Sequence, residues 1–119
     1  MSLEARYREE LSTFLSRVGG DVQAVVLARR DGLPVVHISP GMDAKTVAAL
    51  TALALGSLRR AGEELKIGSV RNFIAYYENR ILLAWPAKDL YIIAVASPDA
   101  NLGLIMLELE RLARRIAEI

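Results

Sequence analysis

Residues 47–58 read VAALTALALGSL, and this stretch decides how the chain folds. Its alanine and leucine content predicts an α-helix, because both residues are strong helix formers. A surface helix normally shows one polar face, but here only Thr51 and Ser57 carry polar side chains. A helix that is apolar all round is expected to be buried all round. The rest of the fold must therefore cover this helix on more than one side.

The flanking segments predict an alternation of helices and strands. Asp43 is the expected N-cap of the central helix, which extends to about Lys66. Amphipathic patterns predict a first helix over residues 3–18 and a last helix over residues 101–119. Apolar and β-branched runs predict five strands, over residues 22–30, 35–39, 69–77, 81–85 and 90–96.

The predicted strands indicate how the elements stack. The turn sequence Asp31-Gly32-Leu33-Pro34 joins the first two strands into a hairpin, and the last three strands form an antiparallel meander. Several strands carry apolar residues on both faces, so both faces need covering helices. We expect the first and third helices on one face and the second helix on the other. The length of 119 residues predicts a single domain, residues 1–119.

Once the second helix packs on the sheet, its outer side is still apolar. A second copy of the chain covers such a side in a two-fold dimer, and the many alanines let two helices approach closely. We therefore predict a homodimer through the second helix and the strand that follows it. The predicted interface residues are Val47, Leu50, Thr51, Ala54, Leu58, Phe73 and Tyr77. The alternative is that the first or the last helix wraps round to cover this side.

Composition excludes several classes of protein. The formal net charge is +1, from 15 basic and 14 acidic residues, so no strong attraction to nucleic acid or anionic lipid is expected. There is no cysteine, and hence no disulfide framework or thiolate metal site. The N-terminus lacks the apolar core of a signal peptide, and no window is long enough for a membrane span. We expect a cytoplasmic protein.

No catalytic or cofactor-binding motif is present. His37 is the only histidine and lies in an apolar strand, where a structural or surface role is expected. The sequence contains no GxSxG or HExxH motif and no GxxxxGK[ST] or GxGxxG phosphate loop. These absences predict a protein that is not an enzyme and that binds no cofactor or metal.

Two segments resemble the roadblock family, also called the dynein light chain roadblock type. Residues 24–36, AVVLARRDGLPVV, match the opening hairpin of that family, and residues 100–119, ANLGLIMLELERLARRIAEI, match its C-terminal helix. The small-residue helix and the three strands between them also agree, so the resemblance covers nearly the whole chain. It implies a prokaryotic member of the family that consists of this domain alone.

The resemblance implies both a fold and a function. The expected fold is α+β in the order α-β-β-α-β-β-β-α, a profilin-like sandwich with a five-stranded antiparallel sheet. Family members form dimers in which the third strands pair and the second helices pack together. They bind small Ras-like GTPases, as scaffolds or as activators of GTP hydrolysis.

A dimer of this kind presents the outer faces of its paired second helices as a GTPase-binding surface. The candidate residues there are the charged ones that flank the apolar run, Lys45, Arg59, Arg60 and Glu63. Two other functions are kept as alternatives, a small-ligand sensor and a structural subunit of a larger complex.

Overall fold

The computed structural model describes all 119 residues, as three α-helices and five β-strands. The helices are α1 (Leu3–Val18), α2 (Ala44–Glu64) and α3 (Leu102–Glu118). The strands are β1 (Val22–Arg29), β2 (Pro34–Ile38), β3 (Phe73–Tyr76), β4 (Ile81–Ala87) and β5 (Leu90–Ala96). The predicted element order is confirmed.

All five strands form one antiparallel sheet in the order β2-β1-β5-β4-β3. The β1–β2 hairpin closes over Gly32, whose φ of 91° is the left-handed conformation that glycine adopts without strain. A Cβ at this position would lie 3.1 Å from the Cα atom of Ala49, so the turn packs tightly against α2. The two edges of the sheet are therefore β2 and β3.

Side-chain caps fix where each helix begins. The hydroxyl of Ser2 accepts a hydrogen bond from the N–H of Ala5, and the amide oxygen of Asn101 accepts one from the N–H of Leu104. The carboxylate of Asp43 accepts from the N–H of Lys45, which confirms Asp43 as the cap of α2. Such caps satisfy the unpaired N–H groups of the first turn.

The helices lie on opposite faces of the sheet, as expected. α1 packs over β1 and β2, while α3 packs over β4, and together they cover the larger cluster of 18 buried residues. Trp85 lies in that cluster, and its indole N–H donates a 2.7 Å hydrogen bond to Glu110 of α3. On the other face, α2 packs on β1, β2 and β5 over a cluster of eight buried residues. The alternative that α1 or α3 wraps round to cover α2 is therefore wrong.

The third strand is shorter than predicted. The sequence predicts a strand over residues 69–77, but β3 contains only the four residues Phe73–Tyr76. Its ladder with β4 stops at the Phe73–Ala84 pair, two residues before Pro86, which has no N–H to donate. The remaining boundaries move by at most two residues.

None of the three helices combines the length and the hydrophobicity that a membrane span requires.

Candidate protein-docking surface

The outer side of α2 is apolar and uncovered. Leu50 and Leu53 are 63% and 70% exposed, although leucine usually lies inside a folded protein. The residues of α2 that face the sheet are small or branched, and they are Ala44, Ala48, Thr51, Ala52 and Leu55. The helix thus has one side packed on the sheet and one apolar side in solvent.

Six of the seven predicted interface residues lie on or beside this uncovered side. Val47, Ala54 and Phe73 are half-buried, while Leu50, Leu58 and Tyr77 are exposed. Thr51 is the exception, because it is only 2% exposed and faces the sheet of its own protomer. Thr51 shares the inner side of α2 with Ala48 and Leu55, so its place in the predicted interface is wrong.

The sheet is also incompletely covered next to β3. Phe73 and Ala75 of β3 lie opposite Ala84 and Leu82 of β4, on the same face as α2. Phe73 and Leu82 are only partly buried, as is Val47 of the neighbouring helix. This strip of half-buried residues continues the exposed side of α2 towards the edge of the sheet.

The predicted GTPase-binding residues do not form one cluster. Lys45 lies in the first turn of α2, and the 1.5 Å rise per residue places it about 21 Å along the axis from Arg59. Arg59 and Glu63 line a shallow depression next to Gly68, whereas Arg60 lines a groove beside the β1–β2 hairpin. The charged end of α2 therefore presents two sides, and Lys45 belongs to neither.

Arg59 is held in place by a buried tyrosine. Its guanidinium donates a 3.2 Å hydrogen bond to the hydroxyl of Tyr91, which lies on β5 and is 4% exposed. Arg30 lies over the ring of the same tyrosine, 5.5 Å from its centroid, and donates to the carbonyl of Lys88 at 2.9 Å. A cation over an aromatic face is attracted by the quadrupole of the ring. Tyr91 thus orders two arginines at this end of the molecule.

Ion pairs are more numerous on the α1–α3 face than on the α2 face, although Arg6, Arg8 and Arg114 of α1 and α3 form none. On the α1–α3 face, Glu108 pairs with Arg17 and Arg111 at 3.8 and 3.5 Å, and Glu10 pairs with Arg115 at 2.9 Å. Hydrogen bonding to Glu10 and its negative charge raise the pKa of Arg115. On the α2 face, neither Arg30, Arg59 nor Arg60 forms an ion pair.

Sequence reasoning missed three residues of this surface, Arg30, Leu53 and Tyr91. Leu53 lies within the apolar stretch of residues 47–58, so its exposure could have been predicted from the sequence. Arg30 and Tyr91 could not, because the contact that joins them depends on the pairing of β1 with β5. The structure places no group of three or more histidine or acidic side chains where they could hold a metal ion.

Comparisons with known proteins agree with this architecture. A family model described as "Mitogen-activated protein kinase kinase 1 interacting" matches residues 6–119. Ragulator complex protein LAMTOR3 from Pagrus major is 32% identical over 101 residues, which span 82% of this chain and 80% of that protein.

Two solved structures show the same fold. A Roadblock/LC7 domain from Streptomyces avermitilis superposes with a TM-score of 0.82 at 23% identity, covering 90% of this chain and 91% of that one. Myxococcus xanthus MglB superposes with a TM-score of 0.90 at 12% identity, covering 99% of this chain and 90% of that one. The predicted roadblock fold is therefore confirmed.

Proposed function

The chain belongs to the mitogen-activated protein kinase kinase 1 interacting family, and we propose that it acts as a homodimeric, non-catalytic adaptor or regulator of a small Ras-like GTPase. The roadblock resemblance supplies the GTPase as the class of partner. The similarity to LAMTOR3, a protein named as part of a complex, supports an adaptor role. The observation that carries the proposal is the uncovered apolar side of α2.

The proposal of self-association is supported by the difference in buried core between the two faces of the sheet. The α1–α3 face buries a cluster of 18 residues within one protomer, but the α2 face buries only eight. The exposed side chains of Leu50 and Leu58 and the half-buried strip at Phe73 are the parts that a second copy would complete. Burying apolar surface contributes roughly 25 cal/mol per Å², so covering such a patch stabilises a dimer. The proposed interface consists of Val47, Leu50, Ala54, Leu58, Phe73 and Tyr77, with β3 pairing to its mate.

The GTPase is proposed to dock across the paired α2 helices. Arg59, Arg60 and Glu63 lie at the charged end of each helix, and neither arginine is neutralised by a carboxylate of its own chain. Such charges mainly tune the rate of encounter and the choice of partner. A GTPase that lies across the two-fold axis blocks the second site, so we expect one GTPase per dimer.

The test is a binding measurement with purified Ras-like GTPases encoded in the same genome, loaded with GDP or with a non-hydrolysable GTP analogue. One of them should bind the dimer with an affinity that depends on the nucleotide. The double variant Arg59→Glu with Arg60→Glu should weaken this binding while the dimer stays folded. A matched double reversal on α1, Arg6→Glu with Arg8→Glu, should leave it unchanged, because both residues lie on the opposite face.

Three other results of this binding measurement would argue against the proposal. Binding that is unaffected by reversal at α2 but lost by reversal at α1 would move the GTPase to the α1–α3 face. Binding with no dependence on nucleotide would favour a structural subunit. The absence of binding to any of these GTPases would contradict the proposal.

A further inference from the structure

A groove of about 420 Å³ lies between α2 and the β1–β2 hairpin. It exists because Ala49, Ala52 and Gly56 occupy successive turns of α2 and have little or no side chain. Leu53, 70% exposed, provides an apolar wall. We call this feature the hairpin groove.

The hairpin groove carries unneutralised positive charge. Arg30 and Arg60 both line it, and neither lies within ion-pair distance of a carboxylate. Asp31 is the one acidic residue of the lining, but its carboxylate is occupied by Arg29 at 2.6 Å and by the N–H of Leu33 at 3.4 Å. Arg30 and Arg60 therefore have no ion-pair partner among the residues that line the groove.

One of the two guanidinium groups is already ordered. Arg30 is fixed by the carbonyl of Lys88 and by the ring of Tyr91. A guanidinium has five N–H donors, and Arg30 uses one of them in its own chain. Because its position is set before binding, a ligand that engages it meets a smaller entropic cost.

We propose that the hairpin groove binds an acidic segment of the partner protein, with a carboxylate at Arg30 and Arg60 and an apolar side chain over Ala49 and Gly56. Guanidinium and carboxylate form the strong, charge-assisted hydrogen bonds that such a site offers. The inference rests on the proposed function, since the segment belongs to the docked GTPase. It adds that the segment of the GTPase recognised by the groove is acidic and carries an apolar side chain.

The site stays open in the proposed dimer. Its α2 residues lie on the hairpin side of the helix, whereas the proposed interface lies on the side towards β3. The two sets share no residue. Each protomer therefore keeps one hairpin groove.

The test uses a probe that does not depend on any GTPase. The ¹⁵N-labelled dimer is titrated with the blocked peptide Glu-Glu-Leu-Glu-Glu and, as a control, with Lys-Lys-Leu-Lys-Lys. The acidic peptide should shift the amide resonances of Ala49, Leu53 and Gly56, and the basic one should not. Arg60→Glu should weaken the binding about tenfold, as expected for loss of a charge-assisted contact. Arg114→Glu, the same charge change on α3, should have no effect.

Shifts confined to α1 and α3, an equal response to the two peptides, or unchanged binding by Arg60→Glu would each overturn the inference. Arg60 makes no hydrogen bond or ion pair in its own chain, so its reversal tests binding rather than folding. The same measurement separates the two proposals. If the peptide does not bind but a GTPase does, the hairpin groove is not a binding site and the proposed function stands. If the acidic peptide binds in the groove but no GTPase binds the protein, the groove is a binding site for acidic segments and the proposed function is wrong.

Discussion

Two glycines of α2 show how single positions shape this protein. Gly62 is buried under the segment that follows the helix, and a Cβ there would collide with the carbonyl oxygen of Gly68. Gly56 opens towards the hairpin groove, and a Cβ there would lie 3.8 Å from the nearest atom, in the side chain of Arg59. The first glycine lets the chain fold back against the helix, whereas the second is not required by packing.

The variants Gly62→Ala and Gly56→Ala should therefore change stability in opposite directions. Gly62→Ala forces backbone to move, and we expect it to lower the free energy of unfolding by about 1–3 kcal/mol. Gly56→Ala should raise it by up to about 1 kcal/mol, because alanine loses less entropy in a helix. Urea denaturation of both variants at one protein concentration checks this. Equal effects of the two substitutions would show that Gly62 does not serve the close approach described above.

At the scale of elements, the sequence specified most of the secondary structure but not the orientation of α2. Caps such as Asp43 and turns such as Asp31-Gly32 are local signals, so boundaries could be predicted. An all-apolar helix has no polar face to set its rotation, and Thr51 was therefore assigned to the wrong side. The start of β3 at Phe73 likewise depends on Pro86 in the neighbouring strand β4. Contacts such as Arg59 with Tyr91 join distant parts of the chain and have no local signature.

The helix α2 should control association without controlling folding. Leu50→Glu places a charge on its outer side, where the proposed interface would bury it unpaired. We expect a folded monomer, since the side chain of Leu50 lies outside the protomer core. Ala54→Glu should act in the same way. Arg60→Glu places a carboxylate on the hairpin side of α2, away from the proposed interface, and should leave a dimer.

Light scattering coupled to size-exclusion chromatography measures the mass of each variant. A persistent dimer for both Leu50→Glu and Ala54→Glu would remove this interface from consideration.

At the scale of the whole molecule, the sheet separates two unlike faces. The α1–α3 face has a large core beneath it and carries charges paired within the chain, as between Glu10 and Arg115. The α2 face buries only eight residues, whereas exposed leucines and unpaired arginines occur on both faces, as at Leu53 and Arg60 on one and at Leu107 and Arg114 on the other. The larger core stabilises the fold from the α1–α3 side, and the smaller core beneath α2 makes that face the one we propose for binding.

A protein built in this way should not bind nucleotide by itself. No glycine-rich loop is present to surround phosphates with backbone N–H groups, and the unpaired arginines lie on an open surface. Isothermal titration of the isolated protein with GTP or ATP should show no heat of binding above dilution. A micromolar dissociation constant for either nucleotide would contradict the adaptor role.

The position of Trp85 has a practical consequence for all of these experiments. It is the only tryptophan, is 2% exposed, and lies under α3 on the face away from α2. Its fluorescence should therefore remain blue-shifted when the proposed dimer dissociates and shift to the red only when the protomer itself unfolds. A spectrometer can thus distinguish a monomeric variant that retains its fold from one that has lost it, without any added label.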